Sequence, residues 1–156
     1  MLSLSRLQEA LHYCPDNGVF TWRAGSRGRR AGSPALARRP DGYVRIRLDG
    51  TLYYAHRLAF FYMTGRWPAA VIDHINGNPA DNRWTNLREA TISQNHANKR
   101  PLSGLKGVSA SRSRWRATIQ INGRTKHLGV FDTPEAAHKA YAEAAKVHFG
   151  NFARLA

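Results

Sequence analysis

Residues 72–99, reading IDHINGNPADNRWTNLREATISQNHANK, do not look like an ordinary core segment. Asn76, Asn78, Asn82, Asn86, Asn95 and Asn98 run through the segment, with Gly77 and Pro79 between them. An Asn amide bonds to its own local main chain and competes with helix and sheet, so the segment predicts an ordered polar loop or a polar site. Turn formation is the expected role of Asn76, Asn78 and Asn82, and His96 and Asn98 read as solvated helix residues. The segment opens on adjacent Asp73 and His74, a carboxylate and an imidazole delivered together.

That pair suits phosphodiester hydrolysis, which needs a base to activate water and a divalent cation to neutralise charge on the phosphate. Successive side chains of a strand point to opposite faces, so Asp73 and His74 can serve one site only where a strand ends or bends. Gly77 and Pro79 supply such an ending. A carboxylate with an amide oxygen is a sparse oxygen set suited to Mg²⁺, or Mn²⁺, that keeps several waters. Zinc is not expected, because the chain has one Cys and its His residues lack ligand spacing.

The order Asp73-His74, Asn86 within TNLREAT, then Asn95 resembles the HNH endonucleases, especially those of phage homing enzymes. DGYVRIRL at 41–48 and AHRLAF at 55–60 resemble that family's lead-in hairpin and helix, so the likeness covers about 41–100. The resemblance implies a ββα-metal module with strands near 71–72 and 87–90 and a helix starting near Thr91 or Ser93. It implies that Asp73 and Asn95 hold the cation, that His74 is the general base, and that Asn86 braces the loop. Asn95 stands where the family often has His.

The 156-residue chain is strongly basic, with 24 Lys and Arg against 10 Asp and Glu, a net charge of +14 and a pI near 11.0. This balance favours a polyanionic partner, nucleic acid before membrane. No apolar run reaches membrane-spanning length, and the lone Cys14 suits a reducing, intracellular setting. By the phage resemblance, that setting is the cytoplasm of a bacterial host.

Leu4, Leu7 and Leu11 predict an amphipathic helix over 2–13, followed by a turn and a strand near 19–22. Residues 23–40 carry Arg23, Arg27, Arg29, Arg30, Arg38 and Arg39 without an acid and read as a mobile, phosphate-contacting loop, in which Arg29 and Arg30 are candidate contacts. Asp49-Gly50 is a hairpin signal, and 56–64 reads as a buried helix stopped by Gly65. His56 and Arg57 occupy the family's HR positions, where packing and catalysis are both open roles.

Beyond Lys99 and Arg100, themselves candidate phosphate contacts, a breaker-rich stretch predicts a linker at 101–106. RWRATIQIN at 114–122 alternates, with Arg114, Arg116, Thr118 and Gln120 on one face and Trp115, Ala117, Ile119 and Ile121 on the other. Asn122-Gly123 predicts a hairpin turn, and Thr133-Pro134-Glu135 opens a helix that stops by Gly150. The KGV, RW-A-I, HLGVFDTPEAAHKAY and FG segments of 103–156 resemble the plant ethylene-response-factor (APETALA-type) DNA-binding domain. By matching position, Lys106, Ser109, Ser111, Arg114, Thr118, Gln120, Thr125 and His127 would face DNA, with His127 where that family has Trp.

The expectation is therefore an α+β protein divided as an N-terminal helix and basic loop (1–40), a nuclease module (41–100), a linker (101–106) and a three-stranded antiparallel sheet with one packed helix (107–156). Its expected activity is metal-dependent cutting of double-stranded DNA by a monomer or homodimer. The alternatives are a DNA-binding regulator whose nuclease unit no longer cuts, a structural RNA binder, and a toxin-like nuclease without sequence choice, against which a separate reader argues.

Overall fold

A computed structural model describes every residue except Met1, Arg27, Leu102, Ser103 and Ala156, and only the main chain at Arg38. Arg27 of the basic loop and Leu102 and Ser103 of the expected linker therefore lie outside the described residues. The chain forms two compact units, Met1–Glu89 and Ala90–Ala156. Helices and small sheets are mixed throughout, in agreement with the α+β expectation.

The first unit begins with α1 (Leu4–Ala10), capped by the Ser3 side chain, which accepts from the Arg6 amide. The helix is shorter than the leucine spacing suggests, because Leu11 leaves it to open β1 (Leu11–Cys14). β1 pairs antiparallel with β2 (Val19–Trp22), placing Leu11 opposite Trp22. Both Leu7 and Leu11 are fully buried, so the apolar stripe is real although its second half is strand.

The arginine-rich segment is not the mobile loop its composition suggests. Main-chain bonds tie it to β2: Gly32 donates to Trp22, Trp22 to Ser33 and Ala35 to Phe20, at 2.7, 3.0 and 2.7 Å. It ends in β3 (Ala37–Arg38), at the edge of a three-stranded sheet with β4 (Val44–Leu48) and β5 (Thr51–Tyr54) in the order β3-β4-β5. Buried Ala35 anchors the segment, an apolar contribution that the charge run obscures.

Asp49, at φ 48°, and Gly50 turn β4 into β5 as expected of a two-residue hairpin. Next, α2 (Ala55–Thr64) buries Leu58, Phe60 and Phe61. β6 (Val71–His74) pairs with β7 (Leu87–Ala90), and Ile72 and Leu87 enter the same core as Leu7, Phe20, Ile46 and Leu58. The expected N-terminal and nuclease segments thus share one core up to Leu87.

The second unit starts with α3 (Ile92–Asn98), whose Thr91 and Gln94 form a capping box. Ala97 of α3 packs in a cluster with Ile119, Tyr141, Ala145 and Phe149. Three antiparallel strands follow, β8 (Val108–Ser111), β9 (Arg114–Ile121) and β10 (Arg124–Phe131), in the order β10-β9-β8. α4 (Pro134–Phe149), capped by Thr133, lies against the face carrying buried Ala117 and Ile119.

Two local features escape pattern reading. The β9–β10 register shifts between His127 and Gly129, so Leu128 is an extra, bulged residue. At Gly107, with φ +77°, a Cβ would overlap the Tyr141 ring, so only glycine lets the chain pass over this aromatic.

Candidate active site

The β6 strand ends on Asp73 and His74, and both are buried, at 3% and 5% exposure. From there the chain turns back through a succession of short polar closures. The Asn76 side chain accepts from the Asn78 amide (2.9 Å), Asn78 from Ala80 (3.1 Å) and Asp81 from Arg83 (3.3 Å). Each is a side chain taking the amide two residues on, the mechanism behind the turn preference of Asn and Asp. The Arg83 guanidinium, with the Asn76 amide, holds the Asp81 carboxyl down to about 2.

Asn86 fastens the loop across its mouth. Its Oδ1 accepts from the Asn76 main chain (2.9 Å), while Nδ2 donates to Asn76 Oδ1 (3.0 Å) and to the Asp81 carbonyl (2.7 Å). Its carbonyl accepts from Ile75 at 2.9 Å. Asn76, Asp81 and Asn86 therefore form one bonded set around the segment that follows His74.

His74 lies within an aromatic wall. Its ring centroid is 5.1 Å from His56, edge to face, and 6.0 Å from Tyr43. His56 stacks on Tyr54 at 5.4 Å, and the Tyr54 hydroxyl accepts from Arg45 Nη2 at 2.6 Å. Burial pushes the His74 pKa below the usual imidazole value, against the pull of the Asn82 bond and of Asp73. Burial is also the main cause of the lower His56 value, about 3. The neighbouring Arg57 reaches the carbonyls of Ala70 and Pro68 instead, at 3.5 and 3.4 Å.

Two participants went unnoticed in the sequence. Arg88 on β7 donates from Nε to Asp73 Oδ2 at 2.9 Å, an ion pair whose side chains are 17% and 4% exposed. Its place directly after the Asn86-Leu87 pair, on the strand partnering β6, was the available signal. Asn82, read as a turn former, is buried, and its Oδ1 lies 3.2 Å from His74 Nε2.

The chemistry of the donors accommodates a hydrated divalent cation. Among the described residues no group of three or more His, Cys, Asp or Glu side chains is arranged to hold a metal ion. The Asp73 carboxylate, on the strand that leads into the Asn-rich loop, is the kind of sparse protein share that Mg²⁺ takes when water and phosphate complete its shell.

The remaining candidates are distributed over both units. Arg29 lies over the Trp22 ring at 3.6 Å, while the Arg30 side chain is exposed. In the second unit, Asn95 is half-buried on α3, Lys99 and Arg100 are exposed after it, and Ser109 is exposed and Ser111 half-buried on β8. Arg116, Thr118, Thr125 and His127 line a shallow groove of about 390 Å³ on the outer sheet face, and Gln120 is exposed on the same strand face. Arg114 is paired with Asp132 at 2.9 Å. The Lys106 ammonium donates to the Ala97 and Lys99 carbonyls at the end of α3. Burial lowers its pKa to about 8. No helix among the described residues is long and apolar enough to cross a membrane.

Comparison with known proteins bears on the family of the chain. The HNH endonuclease family profile matches residues 53–97, from β5 through most of α3. An uncharacterized HNH endonuclease of Acanthamoeba polyphaga mimivirus is 36% identical over 101 residues, covering 63% of this chain and 54% of that protein. Protein 3.8 of Escherichia phage T7 is 38% identical over 90 residues, covering 54% of this chain and 74% of that protein. The chain thus spans about half of the mimivirus relative and about three quarters of the phage one. With Asp73, His74 and Asn86 lying inside the matched stretch, the chain belongs to the HNH endonuclease family.

Proposed function

We propose that the protein is a divalent-cation-dependent endonuclease that hydrolyses phosphodiester bonds of double-stranded DNA. The observation that supports this most is a buried imidazole at His74, its pKa lowered by burial, next to Asp73 at the end of β6 and leading into a loop fastened by Asn86. A neutral imidazole can take a proton from water, which its protonated form cannot. His74 is the base in this reading, and Asn86 keeps the loop shape that holds it in place. Asp73 would hold the cation, and Asn95 joins it on the strength of the family resemblance. When bound, Mg²⁺ or Mn²⁺ would neutralise charge on the phosphate and the departing 3′ oxygen.

The C-terminal sheet is proposed as the duplex reader. Its exposed face sets Arg116, Thr118, Thr125 and His127 along one groove, and a small sheet of this kind can enter the major groove. The resemblance to ethylene-response-factor domains and the homing-type role rest on sequence motifs. A monomer would nick, and a homodimer could cut both strands.

Incubation with supercoiled plasmid and source DNA, with and without Mg²⁺ or Mn²⁺, tests the reading. Nicked or linear product should require the cation and vanish in His74→Ala, while duplex binding stays within a few fold. Full cutting by His74→Ala would refute the assignment. The Arg88 guanidinium on Asp73 favours a second reading, a DNA-binding regulator whose nuclease unit no longer cuts. That reading is supported by tight duplex binding without cleavage under either cation.

A further inference from the structure

We infer that Asn82 is a positioning residue that selects the tautomer of His74, keeping the proton on Nε2 and leaving Nδ1 as the nitrogen that accepts a proton from water. The inference deepens the nuclease reading and rests on it for the role of Nδ1. It stands on a chain of bonds within the first unit.

The orientation of the Asn82 amide is set by its second partner. Asn82 Nδ2 faces the Ala80 carbonyl at 3.3 Å, and a carbonyl only accepts, so the nitrogen end of the amide must lie there. The oxygen end is thereby directed at His74 Nε2, 3.2 Å away. An amide oxygen also only accepts, so Nε2 must carry hydrogen. In a neutral imidazole one nitrogen donates and the other accepts, and the bond made by one decides the identity of the other.

Asn82 is itself held from outside the residues that the family profile matches. The Tyr13 hydroxyl of β1 donates to its carbonyl at 2.7 Å, in a buried contact. The turn after β1 passes so close that a Cβ at Gly18, with φ +74°, would overlap the Asn82 and Arg83 main chain. Side chain and backbone of Asn82 are therefore both fixed, a better platform for orienting a ring than a solvated turn residue.

The test uses the full chain labelled with ¹⁵N at histidine. Long-range ¹H–¹⁵N spectra, with the His74 signals assigned by their loss in His74→Ala, should show a protonated Nε2 and an unprotonated Nδ1. In Asn82→Ala the two tautomers should mix, and kcat for plasmid cutting should fall by about tenfold or more with KM little changed. Asn82→Asp retains an acceptor and should keep the Nε2–H form. A wild-type spectrum showing Nδ1–H overturns the inference, and so does an Asn82→Ala protein with unchanged tautomer and kcat. Should Asn82→Ala fail to fold, the wild-type spectrum still decides. Should the wild-type protein not cut DNA, the nuclease reading fails while the spectra continue to judge the tautomer.

Discussion

The Tyr13 hydroxyl donates a 2.7 Å hydrogen bond to the carbonyl of Asn82, 69 residues further along the chain. A residue of the first hairpin thus supports the loop whose Asn82 contacts the candidate base. The Tyr13 ring also packs on Phe20 at 4.8 Å and edge-on to Tyr62 at 5.7 Å, so its apolar contacts do not depend on the hydroxyl.

Tyr13→Phe should keep that packing and leave the buried Asn82 carbonyl without this donor, at a cost of about 1–3 kcal/mol. Urea unfolding followed by tryptophan fluorescence measures it. An unchanged midpoint would show that the bond contributes nothing to stability.

His56 provides a pH signature. The unfolded chain takes up a proton at this imidazole as pH falls through 6.5, whereas the folded protein keeps it neutral down to about 3. The stability it contributes is therefore complete above pH 6.5 and declines as pH drops toward 3, by up to about 1.4 kcal/mol per pH unit. Burial of His74 acts in the same direction. His56→Phe keeps an aromatic ring against Tyr54 and should flatten the pH dependence of the unfolding midpoint between 4 and 6.5. An equally steep decline in the variant would assign the effect to other groups.

Arg116, on the exposed face of the alternating strand, and Lys106, given a DNA-facing role by motif position, should separate. Arg116→Ala should weaken duplex binding and lower the slope of log Kobs against log salt by about 1. Lys106→Ala removes the donor to the Ala97 and Lys99 carbonyls, so it should leave that slope unchanged and cost about 1–2 kcal/mol of stability. Anisotropy titrations at several salt concentrations, beside denaturation curves, would expose equal behaviour if the distinction is false.

The parts legible in advance were those written in local chemistry. Alternation along Arg114 to Ile121, the Asp49-Gly50 and Asn122-Gly123 turns, and the Thr133-Pro134 helix start each depend on neighbours in sequence. The Asn-rich loop was foreseeable for the same reason, since Asn76, Asn78 and Asp81 close their turns within two residues. What stayed hidden was set by distant partners. Leu11 is strand because Trp22 lies opposite it, and the arginine segment is ordered because its amides find β2. The tie of Asn82 to His74 exists only once the loop has closed, and that of Arg88 to Asp73 only once β6 and β7 are paired.

The packing of Ala97 with Ile119, Tyr141, Ala145 and Phe149 bears on how such a gene can be cut and rejoined. The boundary between the units falls after Glu89, inside the stretch of 53–97 shared with the family, so a swap made at the composition break near residue 101 would separate α3 from the sheet it folds against. Recombinants that exchange the C-terminal sheet should inherit a working nuclease only when the incoming sheet offers α3 an equivalent apolar seat.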